Sequence, residues 1–149
     1  MNYQLEKATV EDLSILNEIS FASKSFWNYP KEWLEHWREG LKISSETLDN
    51  QQVYKLVVDH EIAGFSVMDE LESYYEVLHL WLHPKYIGKK LGSFLLKETL
   101  ARVVVQPKDV VVEADPNAEA FYSKHGFVTF SKVESYPKGR FLPLMRKKG

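Results

Sequence analysis

Apolar residues recur along the chain in two rhythms. Near-alternating or continuous apolar runs mark strands at Tyr3–Ala8, Val53–Val58, Ile62–Met68 and Tyr75–Leu82, then at Val110–Val112, around Phe127–Val133 and at Phe141–Met145. Asp59-His60-Glu61 joins the second and third runs and suits an antiparallel hairpin. Helical spacing relates Leu13, Leu16, Ile19 and Phe21 behind Thr9, a capping residue. Asp12 stands three residues after Thr9, where a full capping box carries Glu or Gln, and Glu11 and Asp12 suit the positive end of the helix dipole. Pro30 opens a second helix carrying Trp33, Leu34 and Trp37, which Gly40 and the polar run Ser44–Gln52 bring to an end. From Gly88 to Val103 a glycine-bearing loop turns into a helix with Leu91, Phe94, Leu95 and Leu100 inward. Ala118–Lys124 forms a short helix, stopped by Gly126 as a left-handed cap.

Strands and about four helices in this order predict an α/β (α+β) fold. With no repeat, low-complexity tract or long linker, residues 1–149 are expected to form a single domain. A chain of 149 residues, 44% hydrophobic and 13% aromatic, can bury a core of its own. Its formal charge of −2 lacks the basic stripe that neutralises phosphates, so nucleic acid is not an expected partner. Cysteine is absent, which removes disulfides, thiolate metal sites and thiol nucleophiles. His79 and His83 lie four residues apart on a strand, too far to share a metal, so none is expected. The start of the chain lacks the basic and apolar regions of a signal peptide, and no apolar run is long enough to cross a bilayer. A cytoplasmic protein without a membrane partner is the expectation.

The segment from Leu78 to Ser93 passes from a strand through a turn into a helix start. The first amides of a helix have no partner within it and, backed by the dipole, bind a pyrophosphate where small residues let its oxygens approach. Gly88 and Gly92 supply that clearance; the alternative is that they serve only the turn and helix packing.

In this segment the chain resembles the GNAT superfamily of N-acetyltransferases, where a strand followed by Pro leads to Gln/Arg-x-x-Gly-x-Gly/Ala and a helix. His83-Pro84 and Ile87-Gly88-Lys89-Lys90-Leu91-Gly92 fall on that pattern, with Ile87 in place of Gln or Arg and Lys90 in place of Gly. Glu113-Ala114-Asp115-Pro116-Asn117-Ala118-Glu119-Ala120-Phe121-Tyr122-Ser123-Lys124-His125-Gly126-Phe127 resembles the family's second cofactor segment. The likeness covers the second half of the chain; the first half matches by element order. It implies a mixed, mostly antiparallel sheet whose strands splay near Leu78–Leu82 and Val110–Val112, and acetyl-CoA as acyl donor. It further implies a cofactor site at Leu82, His83, Tyr86, Ile87, Gly88, Lys89, Lys90, Leu91, Gly92, Ser93, Asn117, Phe121 and Tyr122. Lys90 either changes the loop or adds an ammonium contact to the pyrophosphate.

Transfer of an acetyl group to a primary amine requires a base, donors for the oxyanion and a proton for the departing thiolate. Tyr122 matches the family tyrosine near the sulfur and is the candidate acid; the alternative is a core tyrosine with its hydroxyl hydrogen-bonded. Glu76 and His79 are candidate bases, on opposite faces unless a bulge resets the alternation, and Glu113 is a third. An amide at or near Leu82 would polarise the carbonyl. Trp27 and Tyr29 lie where the family wraps its acceptor pocket. Arg140 sits in Ser135-Tyr136-Pro137-Lys138-Gly139-Arg140-Phe141-Leu142-Pro143, an ending similar to one branch of the superfamily with Lys138 inserted, and is a candidate holder of a substrate carboxylate. The acceptor is a small-molecule or protein amine, and the assembly a monomer or homodimer. Two other readings are a CoA-binding or sensing module without turnover, and a protein-interaction module on the same scaffold.

Overall fold

The computed structural model describes residues 1–149. Its strands are β1 (Tyr3–Lys7), β2 (Gln52–Val58), β3 (Glu61–Glu70), β4 (Tyr74–Leu82), β5 (Asp109–Glu113), β6 (Val128–Glu134) and β7 (Phe141–Lys147). The helices are α1 (Leu13–Ser25), α2 (Lys31–Trp37), α3 (Ser45–Asn50), α4 (Leu91–Val103) and α5 (Glu119–Lys124). One sheet takes all seven strands in the order β1-β2-β3-β4-β5-β7-β6. Every neighbouring pair is antiparallel except β4 and β5.

Local chemistry accounts for most element ends. Thr9 N–H donates to Asp12 Oδ2 at 2.8 Å, so Asp12 performs the reciprocal half of the capping box despite its shorter side chain. The cap opens a short 3₁₀ turn, Val10–Asp12, from which α1 continues. Between β2 and β3 only Asp59 and His60 turn, both at positive φ (46° and 72°), the geometry of a two-residue hairpin loop that matches strand twist; Glu61 already belongs to β3. The polar run after Gly40 is not structureless: Ser44 and Thr47 cap one another (3.2 and 3.4 Å) and start α3, a fifth helix. Its six residues carry no apolar stripe long enough to announce a helix.

The sheet is covered on both faces. On one, Leu16 and Ile19 of α1 pack with Ile43, Val53, Phe65 and Val67. On the other, Leu91 and Leu95 of α4 pack with Leu5, Leu56 and Ala63, while Leu96 and Val103 pack with Tyr75, Val77, Val110, Val112 and Phe127. Each fully buried Leu or Phe contributes about 2–3 kcal/mol. The hydroxyls of Ser66 on β3 and Thr99 on α4 meet at 2.7 Å inside this core, and Thr99 also donates to Leu95 O, so the buried polar pair is satisfied. No helix is long and apolar enough to cross a membrane.

One irregularity in β4 opens the sheet. Val67 pairs with His79 but Met68 pairs with Val77, leaving Leu78 as an extra, bulged residue. The parallel ladder to β5 runs from Tyr74–Asp109 to Val77–Val112 and stops at that bulge. Beyond it β4 remains paired to β3 while β5 ends at Glu113, so the two strands part and open a cleft in the sheet.

Candidate active site

The cleft leads to the turn before α4. His83 Nδ1 accepts from Lys85 N–H (3.2 Å) and opens a 3₁₀ turn with Pro84. Tyr86 is buried among Leu5, Leu56 and Leu91, with its hydroxyl donating to Glu61 (3.0 Å). Gly88 (φ 86°) and Lys90 (φ 61°) both adopt the left-handed conformation. The loop therefore keeps a glycine-like backbone at Lys90, which costs about 1 kcal/mol in a non-glycine residue and turns its side chain out of the helix. Every amide from Gly88 to Ser93 lacks a protein acceptor; the next, Phe94 N–H, donates to Lys90 O. A Cβ on Gly92 would meet the Phe121 ring at 3.5 Å, an ordinary contact, so packing of α4 does not itself require glycine there. Ser93 Oγ and His125 Nε2 lie 2.9 Å apart and tie the start of α4 to the end of α5.

Between β4 and β5 lies a cavity of about 350 Å³, mostly apolar, bounded by Val77 to Leu82 on one side and Val112 to Asp115 on the other, with Ile87 and Gly92 at one end. Asn117, Phe121 and Tyr122 close it, and Trp27 stands at its mouth. The Tyr122 ring packs edge-on against Phe127 (5.3 Å) and Phe121 (5.2 Å). Its hydroxyl makes no hydrogen bond within the chain; since no fully buried polar atom lacks a partner, the hydroxyl reaches the cavity. Burial raises its pKa above the ordinary phenol range, so the proton stays on oxygen. Gly126, in the left-handed conformation (φ 92°), ends α5, with Phe127 N–H returning to Tyr122 O at 3.1 Å. That cap fixes the helix turn bearing Tyr122.

On the β4 wall, His83 N–H crosses to Ala63 O at 2.8 Å. The alternation of an antiparallel pair then turns the amides of Leu82 and Leu80 to the opposite edge, which β5 has left open. His79 Nδ1 accepts from Trp81 Nε1 (3.0 Å), and because an indole nitrogen only donates, the His79 proton sits on Nε2. Burial pushes its pKa down to about 4. The Leu78 bulge brings Glu76 and His79 to one face, that of α1 and Phe65, rather than to opposite ones. Glu76 has a raised pKa, first because it is partly buried and then because Glu113 and Asp69 stand near.

A second cavity, of about 470 Å³, adjoins the first. The two share Leu78, His79, Trp81, Glu113 and Asp115. Its outer walls are Trp37 and His36 of α2 with Tyr136, whose ring stacks on His36 at 3.6 Å. Tyr29 and Arg140 belong to a hydrogen-bonded cluster at its edge. Tyr29 Oη donates to Asp115 (2.9 Å to Oδ1), Arg140 Nη2 donates to Tyr29 Oη (3.0 Å), and Asn117 Nδ2 donates to the same hydroxyl (2.9 Å). Lys24 completes it through a 2.5 Å bond to Asp115 Oδ2. Lys24, Asp115 and the His36–Tyr136 stack were outside the sequence expectation. A lysine on a helix and an Asp-Pro-Asn turn each read as ordinary capping or surface chemistry until the fold joins them.

Residues 23–148 match the family model described as an acetyltransferase (GNAT) domain. The chain belongs to the GNAT acetyltransferases. A curated relative from Thermoplasma acidophilum, spermidine N(1)-acetyltransferase, is 30% identical, with 99% of this chain and 98% of the relative covered. Among solved structures, the PaiA N-acetyltransferase of Thermoplasma acidophilum in complex with coenzyme A aligns over all of both chains with a TM-score of 0.81 and 22% identity. The ribosomal-protein-S18-alanine N-acetyltransferase of Escherichia coli aligns over 99% of this chain and 94% of its own with a TM-score of 0.74 and 13% identity. This GNAT acetyltransferase thus has the family sheet, including the parallel β4–β5 pair at the cleft, and its match extends back into α1, beyond the C-terminal segments that resemble the family in sequence.

Proposed function

We propose that the protein transfers the acetyl group of acetyl-CoA to a primary amine of polyamine type, with the donor in the cleft between β4 and β5 and the acceptor in the adjoining cavity. The observation that carries this reading is the junction of the two cavities at the Leu78 bulge, where the Tyr122 hydroxyl, the open edge of β4 and Glu113 face a common space.

The residues present fit the donor. The unpaired amides from Gly88 to Ser93 suit a pyrophosphate at the start of α4, and Lys89 and Lys90 add positive charge beside it. The apolar walls of the cleft suit a pantetheine arm, for which Asn117 offers a side-chain amide. When bound, acetyl-CoA supplies an activated thioester. Leu82 N–H, or Leu80 N–H one pleat away, polarises the acyl carbonyl and stabilises the negative charge that develops on its oxygen. Tyr122 returns a proton to the leaving sulfur, its hydroxyl being protonated across the working pH range.

His79 is a poor base: its one free lone pair accepts from Trp81, and its low proton affinity keeps it neutral. Its Nε2–H is instead a donor. Glu113 borders both cavities and takes the amine's proton, directly or through water; Glu76, whose proton affinity Glu113 helps to raise, lines neither cavity and can act only behind it. The Glu113 carboxylate, with Trp81, Trp37 and Tyr136 in the same cavity, suits a cationic, flexible amine. The name of the curated relative agrees with that class. The test is a panel of spermidine, shorter diamines, amino acids and N-terminal peptides, with acetylated products identified by mass spectrometry. Acetylated polyamine as the dominant product supports the assignment; preference for peptides or amino acids contradicts it.

A further inference from the structure

Two cations from distant parts of the chain converge on the acceptor cavity: Lys24 of α1 and Arg140 of the turn before β7. Their side chains are 10% and 12% exposed. Both lie on the Trp37 ring, with Lys24 Nζ at 4.5 Å and Arg140 Cζ at 4.6 Å from its centre. Two nearly dry cations backed by the Tyr29 hydroxyl make a receptor for a carboxylate. The chain already supplies one. Asp115 Oδ2 takes Lys24 at 2.5 Å and Arg140 at 3.5 Å, and Oδ1 takes Tyr29 and the Asn117 amide at 2.9 Å. Burial opposes the charge on Asp115, but Lys24 and these hydrogen bonds outweigh it and hold its pKa below the ordinary carboxylate range.

Resting on the acetyltransferase reading, we propose that Asp115 is a specificity-determining residue: it fills with the chain's own carboxylate the two-cation subsite where an amino-acid-like acceptor would dock. An acceptor bearing a carboxylate finds the donors of Lys24, Tyr29 and Arg140 taken and meets the charges of Asp115 and Glu113. An amine without a carboxylate meets no such penalty. Arg140, a candidate holder of a substrate carboxylate from sequence, then serves to hold Asp115.

The test compares wild type with Asp115→Ala and with Asp115→Ser, which vacates the subsite but keeps an oxygen to cap the Asn117 amide, on propylamine and β-alanine, amines that differ in a terminal methyl against a carboxylate. The ratio of kcat/KM for β-alanine over propylamine is expected to rise roughly tenfold or more in the variants. Sodium acetate is expected to raise the Tm of Asp115→Ala, by filling the vacated subsite, and to leave wild type unchanged. If Asp115→Ala does not fold, the ratio in Asp115→Ser decides. A folded variant that acetyl-CoA still stabilises, yet that keeps the wild-type ratio and gains nothing from acetate, overturns the proposal. The acetate measurement needs no turnover, so failure of wild type to acetylate any amine would count against the acetyltransferase reading alone.

Discussion

Tyr122 belongs to the core and, in the proposed reaction, also to the chemistry. Its ring is held by Phe127 and Phe121 while its hydroxyl reaches the cleft, so removing the oxygen leaves the packing intact. Tyr122→Phe is therefore expected to fold and bind acetyl-CoA like wild type, with turnover lower by about tenfold or more, read from steady-state kinetics beside a thermal melt. The sequence pattern around Asn117 and Phe127 was enough to single this tyrosine out. His79, one candidate base from sequence, has its proton affinity set by surroundings that a sequence does not display, here burial and the Trp81 indole. That environment has its own signature. The folded-state value of about 4 lies below the ordinary imidazole value of about 6.5, so between those values the unfolded chain binds a proton that the native chain does not. Stability is lost as pH falls through this window, by at most about 3 kcal/mol. Denaturant titrations across that range should show the slope in wild type and a shallower one in His79→Gln.

At the scale of elements, the loop before α4 separates the requirements of folding from those of binding. Gly88 is at φ 86°, so Gly88→Ala is expected to cost about 1 kcal/mol of stability. Gly92 has room for a side chain beside Phe121, so Gly92→Val is expected to fold yet lose stabilisation by acetyl-CoA in a thermal-shift assay, its methyls filling the end of the cleft. Lys90→Gly relieves left-handed strain but removes an ammonium; its melting point should stay near wild type, while its acetyl-CoA affinity falls and becomes less sensitive to salt. The strands, the hairpin and the longer helices could be read from periodicity. Helix α3 could not, because its six residues, held by a Ser44–Thr47 cap, carry a single apolar position, Leu48, and one position shows no period. Nor could the bulge at Leu78, since nothing in Tyr75–Leu82 marks which residue drops out of register.

For the molecule as a whole, the proposed site lies where the parallel ladder between β4 and β5 gives out. The two segments that resemble the family lie on the two sides of that opening: the α4 loop follows β4, and the Asp115–Gly126 stretch follows β5. The segments proposed to hold the donor are therefore short, continuous ones that a sequence can display. The proposed acceptor side is not of that kind, because it is assembled from α1, α2, the Asp115 turn and the approach to β7, segments far apart in the chain that meet only in the folded sheet. Trp27, a candidate acceptor-site residue, lines the cavity between β4 and β5, while Tyr29 is turned into the Asp115 cluster. The most direct test of this arrangement is the rate of free CoA thiol release from acetyl-CoA, measured in wild type against spermidine concentration. Saturable release that requires the amine, and that Glu113→Gln diminishes without weakening acetyl-CoA binding, is the predicted result. Release that ignores the amine, or none above background, would contradict a cleft in which donor and acceptor meet at the Leu78 bulge.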